Sequence, residues 1–291
     1  MRVRVLALIT AAALSLIGAV PASANGEGDH GYLALGDSVP FGFSPLLNPR
    51  DAENFIGYPE IVAEQLGVDD VNATCPGEAT GGFLSLTGTD NVCRPFRAAN
   101  PLHVHYRGAQ MGFALKYLHR HPQTSLVTLT LGANDFFRFT KDCTAGPTVG
   151  TCPLGVGGVL ATMQSNLNTI LSGIRHAGYR GTIVALTYYA LDYNDVSGAN
   201  LLAGPMIAAA AANHALVASG LEAWRATATA APFNGSSCAA GLLIATPPGQ
   251  TTVCDVHPTP KGRDLLAGAV LQAIAASCSA HNAKRCLKLD D

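Results

Sequence analysis

The sequence predicts an α/β fold in which a parallel sheet is covered by helices on both faces. Three observations predict it. Short apolar runs of strand length alternate along the chain with longer runs at helical spacing. Most of these runs stop at glycine or just before proline, the usual punctuation of such units. The candidate chemical groups fall at strand or loop ends, where open parallel sheets collect function.

The elements follow in order. Tyr32-Leu33-Ala34-Leu35 before Gly36 is a first buried strand, and Tyr58 to Leu66, ending at Gly67, is a helix. Val71 to Ala73 is a short second strand. Gln110 to His119 is a helix stopped by Pro122. Leu126 to Leu131, ending at Gly132, is the strongest strand. Val159 to His176 is a helix ending at Gly178, and Thr182 to Thr187 is another strand. Met206 to Ala228 reads as one long alanine-rich helix, because alanine is the best helix former. Leu242 to Ala245 is a last strand. Pro260 to Ala276 is a helix with proline at its start, where a missing N–H costs nothing. The 140–158 segment, with two cysteines, glycines and proline, reads as a stapled loop. One domain over residues 25–291 is expected.

Composition narrows the function. The 291 residues are 48% hydrophobic and 13% charged, with a formal charge of −2. High hydrophobicity with small net charge excludes a disordered chain. The lack of a basic excess argues against nucleic acid as a partner.

Met1 to Ala24 reads as a cleaved export signal: Arg2 and Arg4, an apolar run from Val5 to Val20, then Ala22-Ser23-Ala24. Its loss takes the formal charge from −2 to −4, two arginines fewer. The competing reading is an N-terminal anchor, but the run is short for a span. Leu201 to Leu221 carries no Asp, Glu, Lys or Arg, yet it is mostly alanine with Pro205, Asn213 and His214, so an internal helix is expected rather than a membrane span. The expected product is a secreted monomer with no stable membrane insertion.

All eight cysteines follow the leader, an even number in an exported chain, which points to four disulfides. Nearest-neighbour pairing is the simplest expectation: Cys75–Cys93, Cys143–Cys152, Cys238–Cys254 and Cys278–Cys286. No C-x-x-C pair supports zinc.

Four points carry candidate chemistry. Gly36-Asp37-Ser38 follows the first strand and offers a hydroxyl that needs a base to become a nucleophile; a plain turn is the alternative. Cys75-Pro76-Gly77-Glu78 offers a glycine N–H, or merely a disulfide-anchored turn. Gly132-Ala133-Asn134-Asp135 offers an amide donor, or an Asx turn. Asp255-Val256-His257-Pro258 offers a general base before the last helix.

Ser38, Gly77, Asn134 and His257, in this order, resemble the signature of the SGNH, or GDSL, hydrolase superfamily. The strings LALGDSVPFG, NATCPGEAT, LVTLTLGANDF and DVHPTPKG look closest to its exported actinobacterial lipase/esterase branch. The resemblance runs from Tyr32 to about Ala276. It implies a three-layer α/β/α sandwich of flavodoxin-like kind and hydrolysis of acyl esters without a cofactor. Ser38 would be the nucleophile and His257 its base. The Ser38 N–H, the Gly77 N–H and the Asn134 side chain would form the oxyanion hole. One departure stands out. The family's acid lies three residues before the histidine, where this chain has Cys254; Asp255, two before, or a backbone carbonyl would orient the ring instead. Asp37 is expected to be structural.

Other candidates carry less. His103 and His105 would share one face of a strand, with no third metal ligand evident. Gly155 to Gly158 lacks the Lys-Ser/Thr of a phosphate loop. Asn72 and Asn234 head glycosylation sequons. Phe41, Phe43 and Phe83 follow the motifs and are candidates for an acyl pocket. The expected substrate is a small-molecule or lipid ester, possible fatty acyl esters included. The alternatives are an acetyl esterase acting on polysaccharide and a non-catalytic binding module.

Overall fold

The computed structural model describes residues 31–145 and 152–289. The expected export signal lies outside them.

Five strands form one parallel sheet in the order β2-β1-β3-β4-β5. They are β1 (Tyr32–Gly36), β2 (Asp70–Asn72), β3 (Leu126–Thr130), β4 (Thr182–Leu186) and β5 (Leu216–Ala218). β1 and β3 are buried along their whole length, which explains their continuous apolar sequence. Their few polar side chains pair internally: Tyr32 Oη lies 2.7 Å from Thr128 Oγ1, and Tyr58 Oη 3.0 Å from Thr130 Oγ1.

Chain direction decides the layers. From β1 the chain steps one way to β2 through α2 (Tyr58–Leu66). It then steps the other way through α5 (Gln110–Arg120), α7 (Cys152–His176) and α8 (Ser197–Ala212). Right-handed crossovers therefore put α2 on one face and α5, α7 and α8 on the other. α10 (Pro260–Ala276) packs on α2 and on α9 (Gly220–Thr229), completing the first layer. α3 (Thr80–Leu84) and α6 (Ala133–Ala145) join the second through contacts with α7. The short helices α1 (Ser38–Phe41), α4 (Cys93–Ala99) and α11 (Ala283–Cys286) fill connections. The result is the three-layer α/β/α sandwich.

Three expectations need correction. Met206–Ala228 is not one helix. α8 ends at Ala212, β5 follows, and α9 begins at Gly220. His214 takes a left-handed φ of 52°, and Ser219 caps α9 by accepting from the Glu222 N–H at 3.1 Å. These two local stops, with an open sheet edge beside β4, outweigh alanine's helical preference. Leu243–Ala245 (β6) does not join the main sheet. It pairs antiparallel with β7 (Cys254–Pro258), tied by the Cys238–Cys254 disulfide. The 140–158 segment is largely helical among its described residues, because α6 runs to Ala145 and α7 begins at Cys152.

Three expected disulfides are present: Cys75–Cys93, Cys238–Cys254 and Cys278–Cys286. Cys143 is also disulfide-bonded; its expected pairing with Cys152 falls on a side chain outside those described. Among the described residues no helix is long and apolar enough to cross a membrane.

Candidate active site

The site forms where the ends of β1, β2 and β3 meet. Gly36 pairs with Thr130, so β1 and β3 finish level. Gly36 has φ 134°, and an added Cβ would lie 2.0 Å from the Thr130 carbonyl oxygen, so only glycine allows this approach. Its N–H and C=O are bracketed by the buried Gln110 amide at 2.7 and 3.0 Å.

Asp37 then caps α1, its Oδ1 accepting from the Val39 N–H at 3.0 Å. Its Oδ2 accepts from the Tyr188 hydroxyl and from Asn134 Nδ2, the latter at 3.5 Å. Burial pushes the Asp37 carboxyl up to about 6, against the pull of the Tyr188 and Val39 hydrogen bonds and the nearby His257.

Ser38 opens α1 and turns its hydroxyl to His257, with Oγ 2.8 Å from Nε2. His257 stands on β7, not in a loop. Residues two apart on a strand share a face, so Asp255 lies beside it. Asp255 Oδ1 meets His257 Nδ1 in a short contact and also accepts the His257 N–H at 3.0 Å. Burial raises the Asp255 carboxyl, but the hydrogen bonds and charge of His257 outweigh it and hold it below the usual carboxylate range. Of the two groups expected to orient the ring, Asp255 is the one whose contact with His257 Nδ1 the structure gives. Phe43 packs edge-on against the imidazole, centroids 4.9 Å apart.

Gly77 has φ 82°, and a Cβ there would sit 2.1 Å from Val92 Cγ2. Its carbonyl accepts from the N–H groups of Asn91 and Val92 at 3.3 and 3.2 Å, and the Cys75–Cys93 bridge closes the loop. Asn134, near the start of α6, lines the same cavity as Ser38 and His257. Its Oδ1 accepts from Asn91 Nδ2 at 2.9 Å. Asp135 points away and binds the Thr80 N–H and hydroxyl at 2.9 and 2.6 Å, fastening α6 to α3.

A cavity of about 540 Å³ opens beside Ser38. Phe136, Phe137, Leu191, Ala199, Leu201 and Leu202 supply apolar walls. Phe137 and Leu191 stand at 43% and 50% exposure. The expected acyl-pocket residues Phe41, Phe43 and Phe83 are not among its walls. Phe41 and Phe83 are fully buried core, and Phe43 stacks on Phe55 behind His257. The walls come from α6, from the stretch between β4 and α8 and from the first turns of α8, none of which except the start of α6 carries a motif. A tyrosine pair, Tyr188-Tyr189, fixes that stretch: Tyr188 binds Asp37 and Tyr189 donates to the Val256 carbonyl at 2.7 Å.

The remaining candidates separate from the site. His103 is not on a strand and bonds the Phe41 carbonyl at 3.0 Å. Among the described residues the one metal-like cluster is Cys75, Glu78 and Cys93, and its two sulfurs form a disulfide. Asn72 is buried with its amide on the Pro40 carbonyl and Glu60, while Asn234 is exposed.

With this geometry in view, the profile of the GDSL-like lipase/acylhydrolase family matches residues 34–265. The chain belongs to that family. As a GDSL hydrolase it is a carboxylic ester hydrolase. Solved structures share its fold. A phospholipase A1 from Streptomyces albidoflavus aligns at TM-score 0.52 and 21% identity, covering 83% of this chain and 99% of its own. An acetylxylan esterase from Geobacillus stearothermophilus aligns at 0.51 and 14%, covering 84% and 93%. A protein from Parabacteroides merdae described as a GDSL-like lipase aligns at 0.52 and 16%, covering 84% and 95%. No curated protein matches the sequence.

Proposed function

We propose that this GDSL hydrolase is a secreted esterase or lipase that cleaves fatty-acyl esters through an acyl-enzyme on Ser38. One observation carries the mechanism: His257 Nε2 lies 2.8 Å from Ser38 Oγ while its Nδ1 meets Asp255. His257 takes the hydroxyl proton as Oγ attacks the ester carbonyl carbon. Asp255 holds the tautomer and stabilises the imidazolium. The carbonyl oxygen becomes an oxyanion, met by the Ser38 N–H, the Gly77 N–H and the Asn134 amide. Each such donor is worth roughly 3–4 kcal/mol in the transition state. His257 returns its proton to the departing alcohol. Water, deprotonated by the same ring, then attacks the acyl carbon, and the acid leaves as Ser38 regains its proton.

The cavity favours acyl chains over acetyl groups. Its walls are mainly apolar and its volume falls within the ordinary range for small-molecule sites. Each methylene moved from water onto such walls gains about 0.8 kcal/mol. Secretion is supported by the leader-like Met1–Ala24 and by the disulfides.

The test is hydrolysis of p-nitrophenyl esters from acetate to palmitate by the oxidised protein beside Ser38→Ala. We expect kcat/KM to rise from acetate to medium or long chains and the variant to be inactive. Best activity on acetate would transfer the reading to an acetyl esterase. Equal activity in Ser38→Ala would overturn the acyl-enzyme.

A further inference from the structure

We propose that Asn91 is a positioning residue that holds the two remote oxyanion donors, the Gly77 N–H and the Asn134 amide, in one frame. The inference rests on the acyl-transfer reading above. Asn91 lies in the connection between α3 and α4, outside every motif read from the sequence. It touches both donor-bearing residues. Its backbone N–H donates to the Gly77 carbonyl at 3.3 Å, and its Nδ2 donates to Asn134 Oδ1 at 2.9 Å.

The chemistry of the neighbours fixes which way the Asn134 amide faces. Asp37 Oδ2 already receives the Tyr188 hydroxyl, and Asn134 Nδ2 is 3.5 Å from it. A carboxylate oxygen only accepts, so the Asn134 atom facing it must be nitrogen. The other amide atom is then Oδ1 and needs a donor, which Asn91 supplies. Among the described residues the second Asn134 N–H has no protein partner. That leaves it for the substrate oxygen in the cavity that Asn134 lines. A flipped amide would turn Oδ1 toward the substrate and oppose the developing negative charge.

The loop that carries Asn91 is itself anchored. Asp90 accepts from the Cys93 and Arg94 N–H groups at 3.1 and 3.0 Å, and the Cys75–Cys93 bridge lies beside it. The Asn91 side chain is only partly buried, so changing it leaves the core intact.

The experiment compares Asn91→Ala with Asn91→Asp, each checked for folding by circular dichroism and thermal melting. Removing a whole oxyanion donor costs about 10²–10³ in kcat. Asn91→Ala should cost a fraction of that, about tenfold, with KM within about twofold, because nothing then drives a flip. Asn91→Asp keeps the shape but introduces an acceptor that attracts Asn134 Nδ2. It should cost about 10² in kcat at neutral pH, more than alanine. Its kcat relative to wild type should recover as pH falls and the introduced carboxyl gains a proton it can donate. A merely structural role gives the reverse ranking, since aspartate is the closer isostere. Asn91→Asp equal to or better than Asn91→Ala, or a pH-independent ratio, would overturn the proposal. An inactive Ser38→Ala beside a fully active Asn91→Asp would overturn this inference alone. An active Ser38→Ala would remove the reading beneath it.

Discussion

Asp255 and His257 stand two residues apart on one face of β7, and Asp255 Oδ1 accepts both the ring and the backbone N–H of His257. One carboxylate therefore contacts both the imidazole and the backbone of the strand that carries it. Asp255→Asn should keep the fold and lower kcat by about 10²–10⁴, because the amide permits the wrong tautomer. Steady-state kinetics on an activated ester measures this. A kcat near wild type would return the orienting role to the backbone.

The cavity wall predicts a change of specificity. Leu202 on α8 lines the space beside Ser38. Leu202→Trp adds volume there and should cut hydrolysis of octanoyl and longer esters about tenfold. That corresponds to roughly two buried methylenes at about 0.8 kcal/mol each. Acetate hydrolysis should stay within about twofold. A uniform loss across chain lengths would mean that the acyl chain lies elsewhere.

Glu78 predicts a pH dependence of stability. It is buried beside Asp90, and burial with that like charge pushes its carboxyl up to about 8, against the pull of Arg97, Gln110 and Arg94. A folded-state pKa above the unfolded value near 4.5 means the native state holds a proton that the unfolded chain has lost. Stability from this group is full below the unfolded value and falls as pH rises toward about 8. Glu78→Gln should remove that fall. Urea unfolding at pH 5 and pH 8.5 should show the variant gaining on wild type at the higher pH. A gap that does not grow with pH would place the ionisation elsewhere.

The Cys75–Cys93 bridge closes a loop of sequence separation 18 that contains Gly77. The paired Cys75→Ala, Cys93→Ala variant should lose about 3 kcal/mol of unfolding free energy from released chain entropy. It should also lower kcat more than KM rises, because the Gly77 N–H is no longer held. Denaturant unfolding and initial rates check the two halves separately.

The sheet was legible because β1, β3 and β4 are apolar runs long enough to stand alone as signals. Ser38, Gly77, Asn134 and His257 were legible as motif residues. Asp255 was legible as one of two candidates to orient His257; the strand that puts both residues on one face was not. The break at His214 and Ser219 was hidden by alanine, which satisfies a helix pattern wherever it occurs. The cavity walls were hidden for another reason. Phe137, Leu191 and Leu202 become neighbours only through the crossover from β4 to α8, and the pairing of Tyr188 with Asp37 joins residues 151 apart. Aromatics beside a motif, such as Phe41 and Phe83, went to the core instead.

The hydroxyl and imidazole that meet at 2.8 Å are 219 residues apart in the chain. A polypeptide emerging from the ribosome carries its serine long before the histidine exists. Under the proposed mechanism, a half-synthesised chain that has not reached His257 lacks the base for Ser38 and cannot cut the esters of the cell that makes it. On that mechanism, catalytic competence arrives with nearly the last turn of assembly, and turnover in a preparation counts molecules whose two ends have found each other.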